Sequence, residues 1–139
     1  MSQENVKVVQ AWSDAYVAGD IDAMMDLCSP DVEAFPDQGF LEASPLYGRE
    51  QFRGWIEEIR SPWVSARWVV HEARAVEPDR VLERGDFGGV GTGSSIETLA
   101  SYTVIFTFRD GKIARVEYFS DHAEARKAVG LEDGPPTAT

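Results

Sequence analysis

The hydrophobic pattern of this chain changes its period near Pro62, and that change constrains the fold more than any other feature. Before Pro62, apolar residues recur at three- and four-residue spacing, which predicts amphipathic helices. After it, they fall in alternating runs rich in β-branched and aromatic residues, which predicts strands. Helices followed by an antiparallel set of strands indicate an α+β fold, in which the helices pack on one side of a curved sheet.

Three helices are predicted in the first part of the chain: residues 4–18, a short helix after Asp20, and a third that begins at Gly48. Asp20 is well placed to cap the second helix, because its short side chain can accept a hydrogen bond from a backbone N–H of the first turn. A short strand at residues 32–35 separates the second helix from the third.

Four longer strands and a terminal helical stub are predicted after Pro62. The strands cover residues 65–77, 80–87, 96–108 and 113–120, and the stub covers residues 122–129. Asp110-Gly111 connects the last two strands, and this dipeptide favours a type I′ hairpin turn. We interpret residues 1–131 as a single domain and residues 132–139 as a flexible tail.

Composition limits the classes of function. A formal net charge of −11 opposes binding to nucleic acid or to an anionic membrane, since both would repel the protein. No apolar run approaches the ~18 residues of a membrane helix, and the N-terminus lacks a signal-peptide pattern. The single cysteine, Cys28, excludes an internal disulfide and a cysteine-based zinc cluster. We expect a cytoplasmic protein that binds neither nucleic acid nor membrane.

Five glycines between positions 85 and 93 suggest a phosphate-binding loop at first sight. Such a loop needs a helix after it, whose N-terminal amides face the anion, whereas here a strand follows. We therefore predict a flexible hairpin connection near the rim of a cavity, and no nucleotide. No other motif calls for a cofactor, and we expect none.

Arg84 and Asp86 are the most chemically suggestive pair, because side chains two apart on a strand share a face of the sheet. If that face is the concave one, Arg84 would keep Asp86 charged and orient it as a base. A nearby Tyr118 could then donate a hydrogen bond to a developing oxyanion. The alternative is an exposed surface ion pair, which contributes little to stability.

Aromatic side chains could line an apolar cavity suited to a flat hydrophobic ligand, or could simply fill the core. They are Trp12, Tyr16, Phe35, Trp55, Tyr102 and Phe106. His71 lies within a strand, where it is either a general base or a hydrogen-bonded structural residue. The two histidines of the chain lack metal-ligand spacing, so no metal site is predicted.

Four short motifs, in this order of elements, resemble the nuclear-transport-factor-2-like superfamily and, within it, the SnoaL-like proteins. The motifs are Ala18-Gly19-Asp20-Ile21-Asp22, Ser29-Pro30-Asp31-Val32, Tyr47-Gly48-Arg49-Glu50 and Arg109-Asp110-Gly111-Lys112-Ile113. The resemblance spans residues 4–131 and implies a cone-shaped sheet wrapped against three helices. Polyketide cyclases, ketosteroid isomerases, limonene-epoxide hydrolases and plain binding modules share that architecture, so the resemblance is specific for the fold and not for a reaction.

The catalytic sets of two of these groups are incomplete here. Trp12, Pro36 and Val104 stand where the isomerase pattern has a tyrosine and two aspartates. The Arg-x-Asp pair of the epoxide hydrolases resembles Arg84-Gly85-Asp86. The second acid of that pattern falls on Tyr118, or on Glu117 if one gap is allowed.

These features together predict a small cofactor-free enzyme, an isomerase, cyclase or hydrolase that acts on a small hydrophobic molecule by acid/base chemistry. Asp86 would be the base, Arg84 its orienter and Tyr118 a hydrogen-bond donor. The predicted substrate-binding residues are Trp12, Tyr16, Phe35, Trp55, His71, Tyr102 and Glu117. The alternative is a non-catalytic module that binds a small ligand or dimerises. A homodimer is expected by analogy, since such sheets often bury their open face against a second copy.

Overall fold

The computed structural model of the protein describes residues 2–37 and 44–131. The helices are α1 (Ser2–Ala18), α2 (Ile21–Asp26), α3 (Gly48–Arg60) and α4 (His122–Ala128). The strands are β1 (Cys28–Phe35), β2 (Leu46–Tyr47), β3 (Trp63–Val76), β4 (Arg80–Gly91), β5 (Glu97–Arg109) and β6 (Lys112–Phe119). The predicted tail at residues 132–139 lies outside the described residues.

All six strands form one sheet in the order β2-β1-β6-β5-β4-β3. Neighbouring strands are antiparallel except β1 and β6, which run parallel. The sheet is curved and does not close, because β2 and β3 lie at its two edges. This arrangement confirms the predicted α+β class and the mainly antiparallel sheet wrapped against helices.

The sheet has two differently covered faces. The face against α1, α2 and α3, called here the inner face, carries the main hydrophobic core, with Val9, Phe52, Phe106 and Val116 fully buried. Each such side chain contributes about 1.5–3 kcal/mol of burial free energy. On the opposite, outer face, α4 covers a smaller cluster that includes Leu82.

Two local predictions are confirmed. The Ala23 amide donates to Asp20 Oδ1 over 3.1 Å, so Asp20 caps α2 as expected. Asp110 and Gly111 both adopt positive φ, 54° and 80°, as a type I′ turn requires.

The prediction for the glycine run is wrong for most of its length. Strand β4 continues through it to Gly91, and the turn to β5 comes afterwards. Gly88 and Gly89 have φ of 154° and 143°, and neighbouring backbone approaches both closely. A Cβ would lie 1.9 Å from the carbonyl oxygen of Thr98 at the first position and 2.1 Å from that of Ser65 at the second. These glycines therefore let the strands on both sides approach β4.

None of the helices in the described ranges combines the length and apolar character that crossing a membrane requires.

Candidate functional site

Strand β4 directs one acidic side chain toward the helices. Because side chains alternate along a strand, Val81, Glu83 and Phe87 lie on the inner face, and all three contribute to the core or to a pocket there. Glu83 is 1% exposed, which is rare for a charged residue type. A buried carboxyl group of this kind needs specific partners.

Two side chains from other elements donate hydrogen bonds to the Glu83 carboxylate. Ser13 Oγ, on α1, lies 2.8 Å from Oε2 and 3.0 Å from Oε1. Trp68 Nε1, on β3, donates to Oε1 over 3.0 Å. Donors on two elements, α1 and β3, thus hold the carboxyl group that β4 supplies, and Oε2 keeps acceptor capacity for a further partner.

Burial raises the pKa of Glu83 to about 7, because the desolvated carboxylate is disfavoured. The hydrogen bonds from Ser13 and Trp68 act in the opposite direction, and the charge of Asp14 raises the pKa further. Both protonation states are consequently populated near neutral pH. This is the condition under which a carboxyl group works best as a general acid or base.

Glu83 borders an apolar pocket with a cavity volume of about 40 Å³, or about 490 Å³ when the open space at its mouth is included. The pocket is lined by Trp12, Tyr16, Met24, Ile56, Ile59, Trp68, Glu83, Phe87, Tyr102, Val104, Phe106 and Tyr118. Several of these rings meet edge to face. The Phe87 and Tyr102 centroids are 6.1 Å apart at an interplanar angle of 85°. A predominantly aromatic wall with one ionisable group is typical of small-ligand sites.

Among the described residues three tyrosines line this pocket, and Tyr16 and Tyr118 have the most strongly raised pKa values. Tyr16 is buried, and its hydroxyl has no hydrogen-bond partner within the described part of the chain. Burial raises the pKa of Tyr16 well above its ordinary value, although the positive charge of Arg60 opposes the shift. Burial also raises the pKa of Tyr118, and the charges of Tyr16, Cys28 and Glu83 add to this effect. Both phenols are therefore neutral, and can donate a hydrogen bond, at physiological pH.

Arg60, at the end of α3, fixes the position of Tyr16. Its Nε donates to the Tyr16 carbonyl oxygen over 2.8 Å, and its Nη2 donates to that of Val17 over 3.0 Å. The guanidinium carbon also lies 5.5 Å from the centroid of the Tyr16 ring. These contacts cap the end of α1, where the last carbonyl groups lack partners within the helix, and the Tyr16 carbonyl also accepts a hydrogen bond from the Gly19 amide over 3.1 Å.

Arg84 and Asp86 share a face as expected, but it is the outer face, because they alternate with Glu83 and Phe87 along β4. Asp86 Oδ2 lies 2.9 Å from His71 Nε2, and Arg84 Nε lies 3.9 Å from a carboxylate oxygen of Glu72 on β3. Of the two placements that the sequence left open, Arg84 and Asp86 therefore take the one away from the pocket, and His71 lies beside Asp86 on that side of the sheet. The catalytic role itself stays a prediction.

Five predicted residues do come together around the pocket: Trp12, Tyr16, Tyr102, Phe106 and Tyr118. Trp55 lies behind them, with its ring centroid 5.0 Å from that of Tyr118. Phe35 and Glu117 are register partners on β1 and β6, and both contact Arg115 instead of the pocket. Their placement near a ligand is therefore also corrected, because Glu117 alternates with Tyr118 along β6.

Sequence reasoning did not identify Glu83 as a functional residue. The available signal was that Glu83 lies two residues after Val81 and four before Phe87, so one face of β4 is apolar except for this acid. Leu82 weakened the signal, because it places one apolar residue on the other face of β4 as well. Nothing in the sequence pairs Ser13 with Glu83, since seventy residues separate them.

Within residues 2–37 and 44–131, no group of three or more histidine, cysteine, aspartate or glutamate side chains could hold a metal ion. The chemistry that this geometry supports is proton transfer by a buried carboxyl group, assisted by phenolic hydrogen-bond donors.

Comparison with known proteins connects this geometry to a family. The family model of the SnoaL-like domain matches residues 9–116. A search of curated proteins finds no significant match. Three solved structures show the same fold over most of both chains. A Catenulispora acidiphila protein of ketosteroid isomerase-like fold, in complex with trimethylamine, is 20% identical with a TM-score of 0.71, covering 93% of this chain and 97% of that one.

The second structure is a candidate polyketide cyclase from Sinorhizobium meliloti, 25% identical with a TM-score of 0.65, which covers 81% of this chain and 93% of that one. The third is an LEH-like epoxide hydrolase from M. tuberculosis, 18% identical with a TM-score of 0.69, covering 92% of this chain and 90% of that one. The fold is thus found both in a ligand complex and in proteins with different chemistry.

Proposed function

Because the chain belongs to the SnoaL-like domain family, we propose that it is a cofactor-free enzyme that moves protons on a small hydrophobic molecule. The reaction is an isomerisation, a cyclisation or a hydrolysis. One observation carries the proposal: a carboxyl group with a pKa of about 7, buried in an aromatic pocket and held by two hydrogen-bond donors. Perturbed carboxyl groups in apolar pockets are frequent in active sites.

In the proposed mechanism the Glu83 carboxylate takes a proton from a substrate carbon or from a water molecule. The electron pair left behind moves toward a substrate oxygen, which accepts a hydrogen bond from the Tyr16 hydroxyl. Glu83, now protonated, returns the proton at a second atom. In an isomerisation the proton returns to another carbon of the substrate. In a cyclisation the substrate carbanion attacks a second carbonyl carbon, and Glu83 protonates the oxygen of that carbonyl. In a hydrolysis the hydroxide formed from water bonds to a substrate carbon, the bond from that carbon to its leaving oxygen breaks, and Glu83 protonates that oxygen.

Ser13 and Trp68 act as positioning residues in this scheme. Their hydrogen bonds orient the carboxylate and oppose the rise of its pKa. Without them, burial alone would favour the protonated acid more strongly and fewer molecules would hold the base form at neutral pH.

A base-catalysed elimination followed by ultraviolet absorbance tests Glu83 without knowledge of the natural substrate. A carboxylate in an apolar pocket removes the C3 proton of 1,2-benzisoxazole, the N–O bond breaks, and 2-cyanophenol forms. We expect the protein to accelerate this elimination with a rate that rises with pH and an apparent pKa of about 7. Glu83→Gln should lower the rate at least about 100-fold, the usual contribution of a general base.

Asp86→Asn is the matched control. It neutralises an acid on the same strand, three residues after Glu83, whose side chain lies on the opposite face of the sheet. A rate lost in Asp86→Asn and retained in Glu83→Gln would contradict the proposal and restore the pair predicted from the sequence. Near-ultraviolet circular dichroism of both variants shows whether the fold is retained.

A second candidate function is a binding module without turnover. It is favoured by one observation: both oxygens of Glu83 already lie within hydrogen-bond distance of Ser13, so the carboxyl group also has a structural explanation. In that case native mass spectrometry should reveal a small molecule that is released unaltered. A molecule that emerges chemically changed supports the enzyme.

We also propose that the protein is a homodimer through the outer face of the sheet. Helix α4 covers part of this face, whereas the part near Leu99 on β5 is left uncovered, and Leu99 is 38% exposed. Burying such a surface against a second copy would remove apolar area from water.

A further inference from the structure

We propose that the pocket around Glu83 selects a small cationic amine, whose ammonium group lies among aromatic rings and next to the Glu83 carboxylate. The inference rests on the proposed function, since it takes the same pocket as the ligand site and adds the charge of the ligand.

Aromatic rings dominate the pocket wall. They come from Trp12, Tyr16, Trp68, Phe87, Tyr102, Phe106 and Tyr118. Phe87 stands at 85° to Tyr102, and Trp12 stands at 76° to Phe106, so neighbouring walls are nearly perpendicular, as in a box. Ring faces carry negative electrostatic potential, and a cation enclosed by several of them is attracted by each.

The charges near the pocket favour a cation as well. Among the described residues that line it, Glu83 is the one with a charged form at neutral pH, and none is a lysine, arginine or histidine. An anionic ligand would therefore meet a carboxylate without a compensating positive charge. The guanidinium of Arg60, behind the Tyr16 ring, is already bonded to carbonyl groups of α1.

A second acid adds to this field from the end of β1. The charge of Asp37 raises the pKa of Tyr102, after the larger effect of burial, so Asp37 acts electrostatically on a residue of the pocket wall. The net charge of −11 extends the attraction for cations beyond the pocket. The charges near the pocket and the net charge of the protein therefore both attract cations.

The preference should depend on pH, because Glu83 attracts a cation only as the carboxylate. The other titratable or charged groups near it are Asp14 and Tyr16 of α1, Tyr102 of β5, Tyr118 of β6 and Arg60 of α3. Burial raises the pKa of each of these three tyrosines, so they stay neutral at moderately alkaline pH. Glu83, with a pKa of about 7, changes its charge across the neutral range.

Choline and 3,3-dimethylbutan-1-ol form a suitable pair of probes, since they have the same shape and differ in the charge of one central atom. Isothermal titration calorimetry of the wild-type protein should give at least about fivefold tighter binding of choline near pH 8.5. Near pH 5.5, where Glu83 is protonated, the ratio of the two affinities should fall toward about one. Glu83→Gln should give this low ratio at both pH values.

Glu124→Gln is the matched control, because it removes one negative charge from an exposed position on α4 and should keep the wild-type ratio. Equal or tighter binding of the neutral alcohol near pH 8.5 would overturn the inference, and so would no binding of choline at millimolar concentrations. A choline preference that persists in Glu83→Gln would overturn it too. Because benzisoxazole is neutral, its elimination tests the proposed base separately, so loss of the charge preference with the elimination intact contradicts only this inference.

Discussion

At the scale of single residues, the position of one carboxyl group determines what the pocket can do. Glu83 and Asp86 are three residues apart on one strand, yet Glu83 is almost fully buried and the side chain of Asp86 is 31% exposed. Burial disfavours the charged form, and it is the largest cause of the raised pKa of Glu83. A one-residue change of register would exchange the two environments.

This raised pKa predicts a specific dependence of stability on pH. The unfolded chain has its Glu83 pKa near 4.5, and the folded protein has it at about 7, so the folded state binds more protons between these values. The stability that depends on a protonated Glu83 is complete below the unfolded pKa and is lost as pH rises through 7. The free energy of unfolding therefore falls by about 3 kcal/mol between the unfolded and the folded pKa.

We expect urea unfolding, followed by circular dichroism, to show that Glu83→Gln gains stability relative to the wild type as pH rises from 5 to 8. The amide stays neutral, so the variant lacks this contribution at every pH. Glu124→Gln should shift the curve by a constant small amount. A wild-type-minus-variant difference that is independent of pH would contradict the buried, titrating carboxyl group.

At the scale of elements, the two halves of strand β4 have different roles, and their sequences differ accordingly. Its first half places Glu83 in the pocket, and its second half is glycine-rich because β3 and β5 approach its backbone. The sequence predicted the strand itself but ended it at Phe87, since clustered glycines usually indicate a turn. Close approach by neighbouring backbone is a tertiary effect that no local pattern reveals.

Alanine substitutions within β4 should distinguish glycines that neighbouring backbone approaches closely from glycines with free space around them. Gly88→Ala places a Cβ 1.9 Å from the Thr98 carbonyl oxygen at a φ of 154°, so either the backbone or β5 must move. We expect a loss of more than about 2 kcal/mol of unfolding free energy in urea titrations. In Gly91→Ala the nearest atom is 3.8 Å away, and we expect a change within about 0.5 kcal/mol. Equal effects of the two substitutions would show that the close approach is absent in solution.

The helices and hairpins were predictable because their signals are local. The Asp20 cap and the Asp110-Gly111 turn each depend on a few neighbouring residues, and both formed as predicted. The site was predictable only in part. Its aromatic residues follow from periodicity, whereas the contact of Ser13 with Glu83 depends on how α1 crosses the sheet.

At the scale of the whole molecule, the two faces of the sheet carry different kinds of side chains. The inner face bears the pocket, and the outer face bears ion pairs, such as Arg67 with Glu97, beside the exposed Leu99. The faces could not be assigned from the sequence, because Arg84 and Asp86 lie in a strand that has apolar residues on both sides. The resemblance of short motifs predicted the architecture correctly without supplying this assignment.

The proposed homodimer gives a prediction at this scale. Leu99→Lys puts a charge into the uncovered part of the outer face, so we expect sedimentation velocity to show a shift from dimer to monomer. Val17→Lys adds the same charge at an exposed position on α1, on the other side of the sheet, and should leave the dimer intact. A wild-type protein that sediments as a monomer at high micromolar concentration would contradict the proposal.

The hydrogen bond from Trp68 to Glu83 also has an optical consequence. An indole whose N–H points at a carboxyl group experiences a different local electric field when that group gains or loses its proton. The emission wavelength and yield of Trp68 should therefore follow the protonation of Glu83, so that part of the emission of the four tryptophans reports on that one proton. Ligand binding that changes the charge of Glu83 would be visible in the same signal, without any added dye.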